Sequence, residues 1–228
     1  DHGALDLLRR QRETNPAFRE IGNPDLITKR APHPVPVPPG GTLADYVPFY
    51  FTPWSPMLYN IKTGYQGVTQ RPMSEIVILV SSIARLGEVG ARYLISDRHA
   101  YLQVAQFAAD ATGLDLVDWP LLQARNFKRD PEHPERFDRY QSEALVHRHL
   151  PGDGLLAIAC HGEAQKVGLE SLLQQRRMRY CVTRPSRQNS VCVTLGFPRR
   201  LAMAFTLAIR ALRSGAAMIA STSVSIAL

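Results

Sequence analysis

The chain is poor in cysteine, short of long apolar runs, and without acid over its whole C-terminal stretch. It has three cysteines, Cys160, Cys181 and Cys192, in 228 residues. So odd and sparse a set, with no C-x-x-C pair, excludes a disulfide framework and a zinc site and fits a reducing compartment. No early segment has the apolar core of a secretory leader. The segment after Ser214, fourteen residues long, is too short to span a bilayer. No Asp or Glu follows Glu170, whereas nine arginines do. The formal charge of +7 therefore belongs to the tail; residues 1–170 hold 18 basic and 20 acidic side chains, a net of −2. Overall basicity then says nothing about nucleic acid, and a local patch has to carry any such role. The length and the 45% hydrophobic content suit one globular domain with room for an appendage.

What the chain does have is an aromatic, proline-punctuated stretch at 38–65. After the turn signal Pro38-Pro39-Gly40-Gly41 comes DYVPFYFTPWSPMLYNI (45–61). Seven of its first fifteen residues are Tyr, Phe, Trp or Met, and three are proline. Proline has no amide hydrogen, so an uninterrupted central strand and a helix interior are both disfavoured. Two readings stay open: a short strand followed by a rigid aromatic loop that faces a planar ligand, or a broken core strand whose rings fill the interior.

Along the rest of the chain, Leu5, Leu7 and Leu8 with Arg9, Arg10 and Arg12 read as the end of an amphipathic helix. Residues 15–45 are loop-rich, with a polyproline-like run from Pro32 to Pro39 that reads as a linker or as an ordered strap. EIVILVSS (75–82) reads as a buried strand, 83–89 as a short helix and 92–95 as a strand. Ser96 or Asp97 is expected to cap a helix over 100–112. Asp118-Trp119-Pro120 opens another helix; 155–160 and 178–183 read as strands, and 164–175 as a helix. Between them, residues 125–140 alternate bases, aromatics and acids across a proline-broken loop. Such a run is either a solvated loop or a surface where cations hold phosphates and rings stack on unpaired bases. Gln141-Ser142-Glu143 precedes the apolar 144–146; in an extended segment, Gln141 and Glu143 share a face.

Four stretches in this order, DYVPFYFTPWSPMLYNI (45–61), EIVILVSS (75–82), SDRHA (96–100) and YQSEALV (140–146), resemble the DarT family of DNA ADP-ribosyltransferase toxins. The likeness runs from about 15 to 185. It implies an α+β, ADP-ribosyltransferase-like fold: two small, mainly antiparallel sheets with peripheral helices and an NAD cleft between them. It implies transfer of ADP-ribose from NAD, as co-substrate and without metal, to a base in single-stranded DNA. Glu143 becomes the catalytic carboxylate. Tyr46, Tyr50, Met57, Tyr59 and His99 become the cofactor-binding set, and Arg125, Lys128, Arg129 and Arg139 the DNA-phosphate set. Partners are single-stranded DNA and a DarG-type macrodomain antitoxin, in the bacterial cytoplasm and away from membranes.

The resemblance has departures. The family's front His-x-Thr motif is missing, so the chain reads as truncated at its start. Trp54 stands where the thymine-modifying branch has arginine, and the continuation NIKTGY (60–65) is similar to the guanine-modifying branch, which favours guanine slightly. The domain is expected over 1–185, with 186–228 an atypical basic extension from a shifted reading frame or a basic amphipathic surface anchor. An inactive, nucleic-acid-binding remnant and a protein-directed ADP-ribosyltransferase are the competing functions.

Overall fold

The computed structural model describes residues 22–175, 181–183 and 203–209. The N-terminal helix expected from Leu5 and its neighbours, and the tail outside 203–209, lie outside the described residues.

The aromatic stretch folds as strand, turn and helix in succession. Strand β1 (Tyr46–Tyr50) is buried at every position. It pairs antiparallel with β5 (Glu143–His147) in the register Tyr46↔His147 to Tyr50↔Glu143. Pro48 is tolerated inside the strand because pairing on its other side, to β8 (Met203–Ile209), involves Tyr50 alone. Alternation then sorts side chains by face. Val47, Phe49, Ala144 and Val146 enter the main core, while Tyr46 and Leu145 join a smaller cluster on the other face. Ser55 ends the turn: its Oγ accepts from the Leu58 amide, and Pro56 occupies the first turn of α2 (Pro56–Thr63), leaving no amide to satisfy there. Gly64, at φ 74°, closes that helix in the left-handed region. Met57 and Tyr59 thus sit on a helix, not on the expected rigid loop.

The strand β2 (Ile76–Ser82) matches the apolar run and pairs antiparallel with β6 (Ala157–Cys160). The neighbour of β6 is β7 (Cys181–Thr183), in parallel. On the other side of the molecule β3 (Tyr93–Ser96) pairs with β5 and with the short β4 (Phe107–Ala108). These make two small, mainly antiparallel sheets, as expected. Strand β8 lies between them, paired with β2 over seven residues and with β1 at Tyr50, giving the order β4-β3-β5-β1-β8-β2-β6-β7. Residues 203–209, inside the segment read as an extension, thereby contribute a strand to the middle of the sheet.

Short capped helices surround this frame. Asn23 accepts from the Asp25 and Leu26 amides to start α1 (Pro24–Arg30). Ser82 caps α3 (Ile83–Glu88), and Asp118 caps α4 (Trp119–Ala124). The helices α5 (Glu135–Arg139) and α6 (Glu163–Gln175) complete the described set. No helix among the described residues is long and apolar enough to cross a membrane.

The helix expected over 100–112 is not formed. Its would-be caps are committed elsewhere: Ser96 Oγ donates to the Arg98 carbonyl and accepts from the Glu143 amide, and Asp97 Oδ1 accepts from the Gln106 amide. These bonds close a loop over 97–106 that leads into β4 and a 3-10 turn at Ala111–Leu116.

Phe49 is fully enclosed in the core that holds β1 against β5. Phe49→Ala is expected to lower the unfolding free energy by about 3–5 kcal/mol, read by chemical denaturation.

Candidate active site

The Tyr50↔Glu143 pair ends the β1–β5 ladder, and Glu143 has no exposed surface. A lone carboxylate in that position would be protonated or would destabilise the fold by several kcal/mol. It has a partner from the end of α1. Arg30 Nη1 donates to Glu143 Oε1 and Nη2 to Oε2, both at 2.8 Å, a two-pronged planar pair. Burial pushes the Glu143 carboxyl up; the Arg30 guanidinium more than offsets this and holds it below the usual carboxylate range. Tyr50 takes the opposite course. Burial, and then the Glu143 charge, push its hydroxyl up, so it remains a neutral phenol.

His99 completes the cluster. Its Nδ1 lies 3.5 Å from Glu143 Oε1 and 3.4 Å from Arg30 Nη1, and it accepts from the Tyr101 amide at 3.3 Å. With two N–H donors aimed at it, Nδ1 is the unprotonated ring nitrogen. Burial lowers the His99 pKa to about 4, so the ring is neutral and its approach to Glu143 is not an ion pair.

Beside this cluster opens a cavity of about 650 Å³, within the ~300–1,000 Å³ of small-ligand sites. Arg30, Tyr50 and Gln141 border it, α1 forms one wall and α2 another, and residues 125–129 form the rim. Among the described residues no Asp or Glu lines it, whereas Arg30, Arg125, Lys128 and Arg129 do. The rim is aromatic as well as cationic. Phe127 packs edge-on against Tyr59 at 5.8 Å, and the Arg129 guanidinium lies 4.2 Å over the Phe137 ring. This chemistry suits a polyanion that carries flat rings. Among the described residues no group of three His, Cys, Asp or Glu is placed to hold a metal ion.

Of the residues expected to bind cofactor, Tyr50, Met57 and Tyr59 line the cavity, and His99 stands behind it beside Glu143. Tyr46 does not line it: its hydroxyl donates to the Gly40 carbonyl at 2.7 Å and its ring packs 5.1 Å from His147. Two pleats from Tyr50, it anchors the proline hairpin instead. That hairpin packs through Val35 and Leu43 on Leu94 and Leu145, so α1, and not the proline run, walls the cavity. Arg125, Lys128 and Arg129 reach the rim; Arg139 does not, its Nε lying 3.5 Å from Asp118 Oδ2. Gln141 lines the cavity from the turn after α5, not from an extended segment. The residue that sequence reasoning missed is Arg30. Its only local signal is a basic helix end, and nothing in spacing ties it to a glutamate 113 positions away.

A mainly antiparallel sheet, with a buried glutamate held by an arginine that borders a cationic, ring-lined cavity, fits an α+β ADP-ribosyltransferase-like protein. The comparisons agree. The family model described as "ssDNA thymidine ADP-ribosyltransferase, DarT" matches residues 1–188. A "DNA ADP-ribosyl transferase" of Escherichia coli O127:H6 is 51% identical over 158 residues, 69% of this chain and 72% of that protein. One from Thermus sp. (strain 2.9) is 39% identical over 179 residues, 75% of this chain and 81% of that protein. The structure of Thermus sp. 2.9 DarT in complex with ADP-ribosylated ssDNA superposes with a TM-score of 0.69 at 29% identity, covering 82% of this chain and 92% of that one. Its complex with NAD+ gives 0.61 at 31% identity, covering 80% and 91%. The chain belongs to the DarT family of DNA ADP-ribosyltransferases.

Two outcomes follow from the buried cluster. Arg30→Ala leaves Glu143 buried and unpaired and is expected to cost about 3–5 kcal/mol. Arg30→Ala combined with Glu143→Ala costs less than the sum of the single changes, read as a double-mutant cycle in denaturant. The depressed His99 pKa means that the unfolded chain binds a proton at higher pH than the folded one. Stability is therefore present above pH 6.5 and falls on the order of 3 kcal/mol as pH drops toward about 4. His99→Gln flattens that limb of the stability–pH curve; the depressed Glu143 adds a further loss at lower pH, as its folded value is passed.

Proposed function

We propose that this protein transfers ADP-ribose from NAD to a thymine in single-stranded DNA and releases nicotinamide. The observation that carries this reading is the buried Arg30–Glu143 pair, whose Arg30 borders a cationic cavity large enough for a dinucleotide. The DNA and NAD complexes of the Thermus relative support substrate and co-substrate. The description of the matching family model supports thymine. Guanine is the second reading, supported by Trp54 and by the 60–65 segment. The same reading makes the protein a bacterial toxin acting in the cytoplasm, partnered by a DarG-type macrodomain that removes the mark. It also takes the domain past residue 185 to include β8.

The residues present fit the dinucleotide. Arg30, Arg125, Lys128 and Arg129 offer cations to a pyrophosphate, and Tyr50, Met57 and Tyr59 offer apolar and ring surface to a nicotinamide. NAD supplies the transferred group: its ribose–nicotinamide bond breaks with the electron pair leaving on nicotinamide, a ribose–base nitrogen bond forms, and the base loses a proton. Glu143 then has two tasks. Ionised, it holds a ribose hydroxyl and stabilises the positive charge that develops on the sugar. It also accepts the proton of the attacking base nitrogen. Both tasks require Glu143 to reach the cavity, and in this structure it is fully buried behind Arg30. Arg30, which borders the cavity, would uncover the carboxylate by turning one N–H to a phosphate oxygen. Access for the base requires it to be unstacked, which favours single strands.

The test is NAD carrying a label on its ADP-ribose, incubated with oligonucleotides that each contain one T, G, A or C. Label is expected on the T-containing strand, reduced at least about 100-fold by Glu143→Gln when assayed at a temperature at which that variant is still folded. Label on the G-containing strand selects the second reading. Label on protein alone, or DNA binding without label, rejects DNA transfer.

A further inference from the structure

A second groove, of about 770 Å³, adjoins the cavity and shares Tyr59, Arg125 and Phe127 with it. Its lining also holds Trp54, Lys62 and His161, with Ile76, Ile78 and Ala159 from β2 and β6. Nothing in the mechanism uses Trp54, Lys62 or His161. The groove presents Lys62, Arg125 and His161 and, among the described residues, no Asp or Glu. The Arg125 guanidinium lies 5.0 Å from the centre of the Trp54 ring. Arg125 reaches that position because it ends α4 in the left-handed conformation, at φ 53°. The Trp54 backbone is fixed in turn by Tyr140, whose hydroxyl donates to the Trp54 carbonyl at 3.0 Å. The indole is therefore a half-exposed plate with a cation on it, set on a held backbone. Lys62 extends from the last turn of α2 as a second, solvent-exposed cation.

We propose that this groove is a subsite for the nucleotide that flanks the reacting base, with its base stacked at Trp54–Arg125 and its phosphate on Lys62. The assignment rests on the reading of the cavity as the site of DNA modification and names how the strand continues from it. Three features favour a single nucleic-acid strand over a peptide: flat ring surface, cations with no acid among the described lining residues, and continuity with the cavity through Tyr59, Arg125 and Phe127. An unpaired base and its phosphate meet these together, whereas an apolar peptide would leave the cations unmatched. Trp54 and Lys62 then strengthen the binding of longer strands.

Binding measured without NAD separates this subsite from the transfer reaction. Fluorescently labelled five-nucleotide strands with one central thymine are titrated with the full chain and read by anisotropy. One series carries an abasic site 5′ of the thymine and another 3′ of it. For the wild type, one of the two abasic strands is expected to bind roughly 10-fold more weakly than the intact strand. Trp54→Leu loses that difference, and Trp54→Phe, which keeps a stacking ring, retains most of it. Lys62→Ala lowers the slope of log affinity against log salt by about 0.7. If Trp54→Leu and Lys62→Ala bind every strand as the wild type does while the protein still labels DNA, the groove proposal fails and the transfer reading stands. If the wild type binds no strand and labels none, both fail. Weaker binding of an apolar peptide, but not of DNA, by Trp54→Leu would assign the groove to a protein partner and overturn the proposal.

Discussion

The fold closes around a buried charge pair. Glu143 starts β5 with no water contact, and Arg30 crosses to it from the end of α1 with both guanidinium nitrogens at 2.8 Å. Separating such charges from water costs several kcal/mol each, and the mutual attraction repays this only when the geometry is two-pronged and the remaining donors and acceptors are met. The surroundings supply that. Ser96 Oγ accepts from the Glu143 amide, His99 stays neutral behind the pair, and Tyr50 stays a phenol opposite it. A replacement of the pair by apolar residues of similar volume would not need to lose stability. The pair is therefore not required by stability alone, and an ionised carboxylate held behind a cavity-lining arginine suits chemistry in which positive charge develops on a sugar.

The sheet explains how the pair and the cavity come together. Tyr50 and Glu143 are opposite one another because β1 and β5 run antiparallel in that register, and the chain leaves β1 immediately afterwards. Three prolines then divide the labour. Pro48 sits where β1 lacks a second partner, Pro53 lies in the turn, and Pro56 begins α2. One aromatic stretch therefore supplies a core strand, a plate at Trp54 and a cavity wall at Met57 and Tyr59. Both readings left open for it hold, at different residues: Phe49 and Phe51 fill the interior, whereas Tyr59 stays half exposed at the rim.

Much of this was legible in the sequence. Runs such as 75–82 and helix starts such as Asp118-Trp119-Pro120 are local signals, and the structure follows them. The motif at 140–146 pointed to Glu143, which lies in the buried pair, and the alternation of bases and rings pointed to 125–129, which reach the cavity rim. What was not legible depends on long-range contacts. Arg30 meets Glu143 only because α1 docks over the end of β5. Ser96 and Asp97 looked like helix caps and instead serve the Glu143 amide and a loop closure, which no local rule distinguishes. Tyr46 and Tyr50 look alike in sequence and share a face, yet a separation of two pleats puts one under the proline hairpin and the other at the cavity.

The central claim is that Arg30 guards the carboxylate and yields it when the dinucleotide arrives. The direct measurement is a crystal structure of the chain with a non-transferable NAD analogue bound. The account predicts Arg30 within hydrogen-bond distance of a phosphate oxygen, with a Glu143 oxygen turned to a ribose hydroxyl. A bound analogue with both Glu143 oxygens still held by Arg30, and no contact between the carboxylate and the sugar, would contradict it.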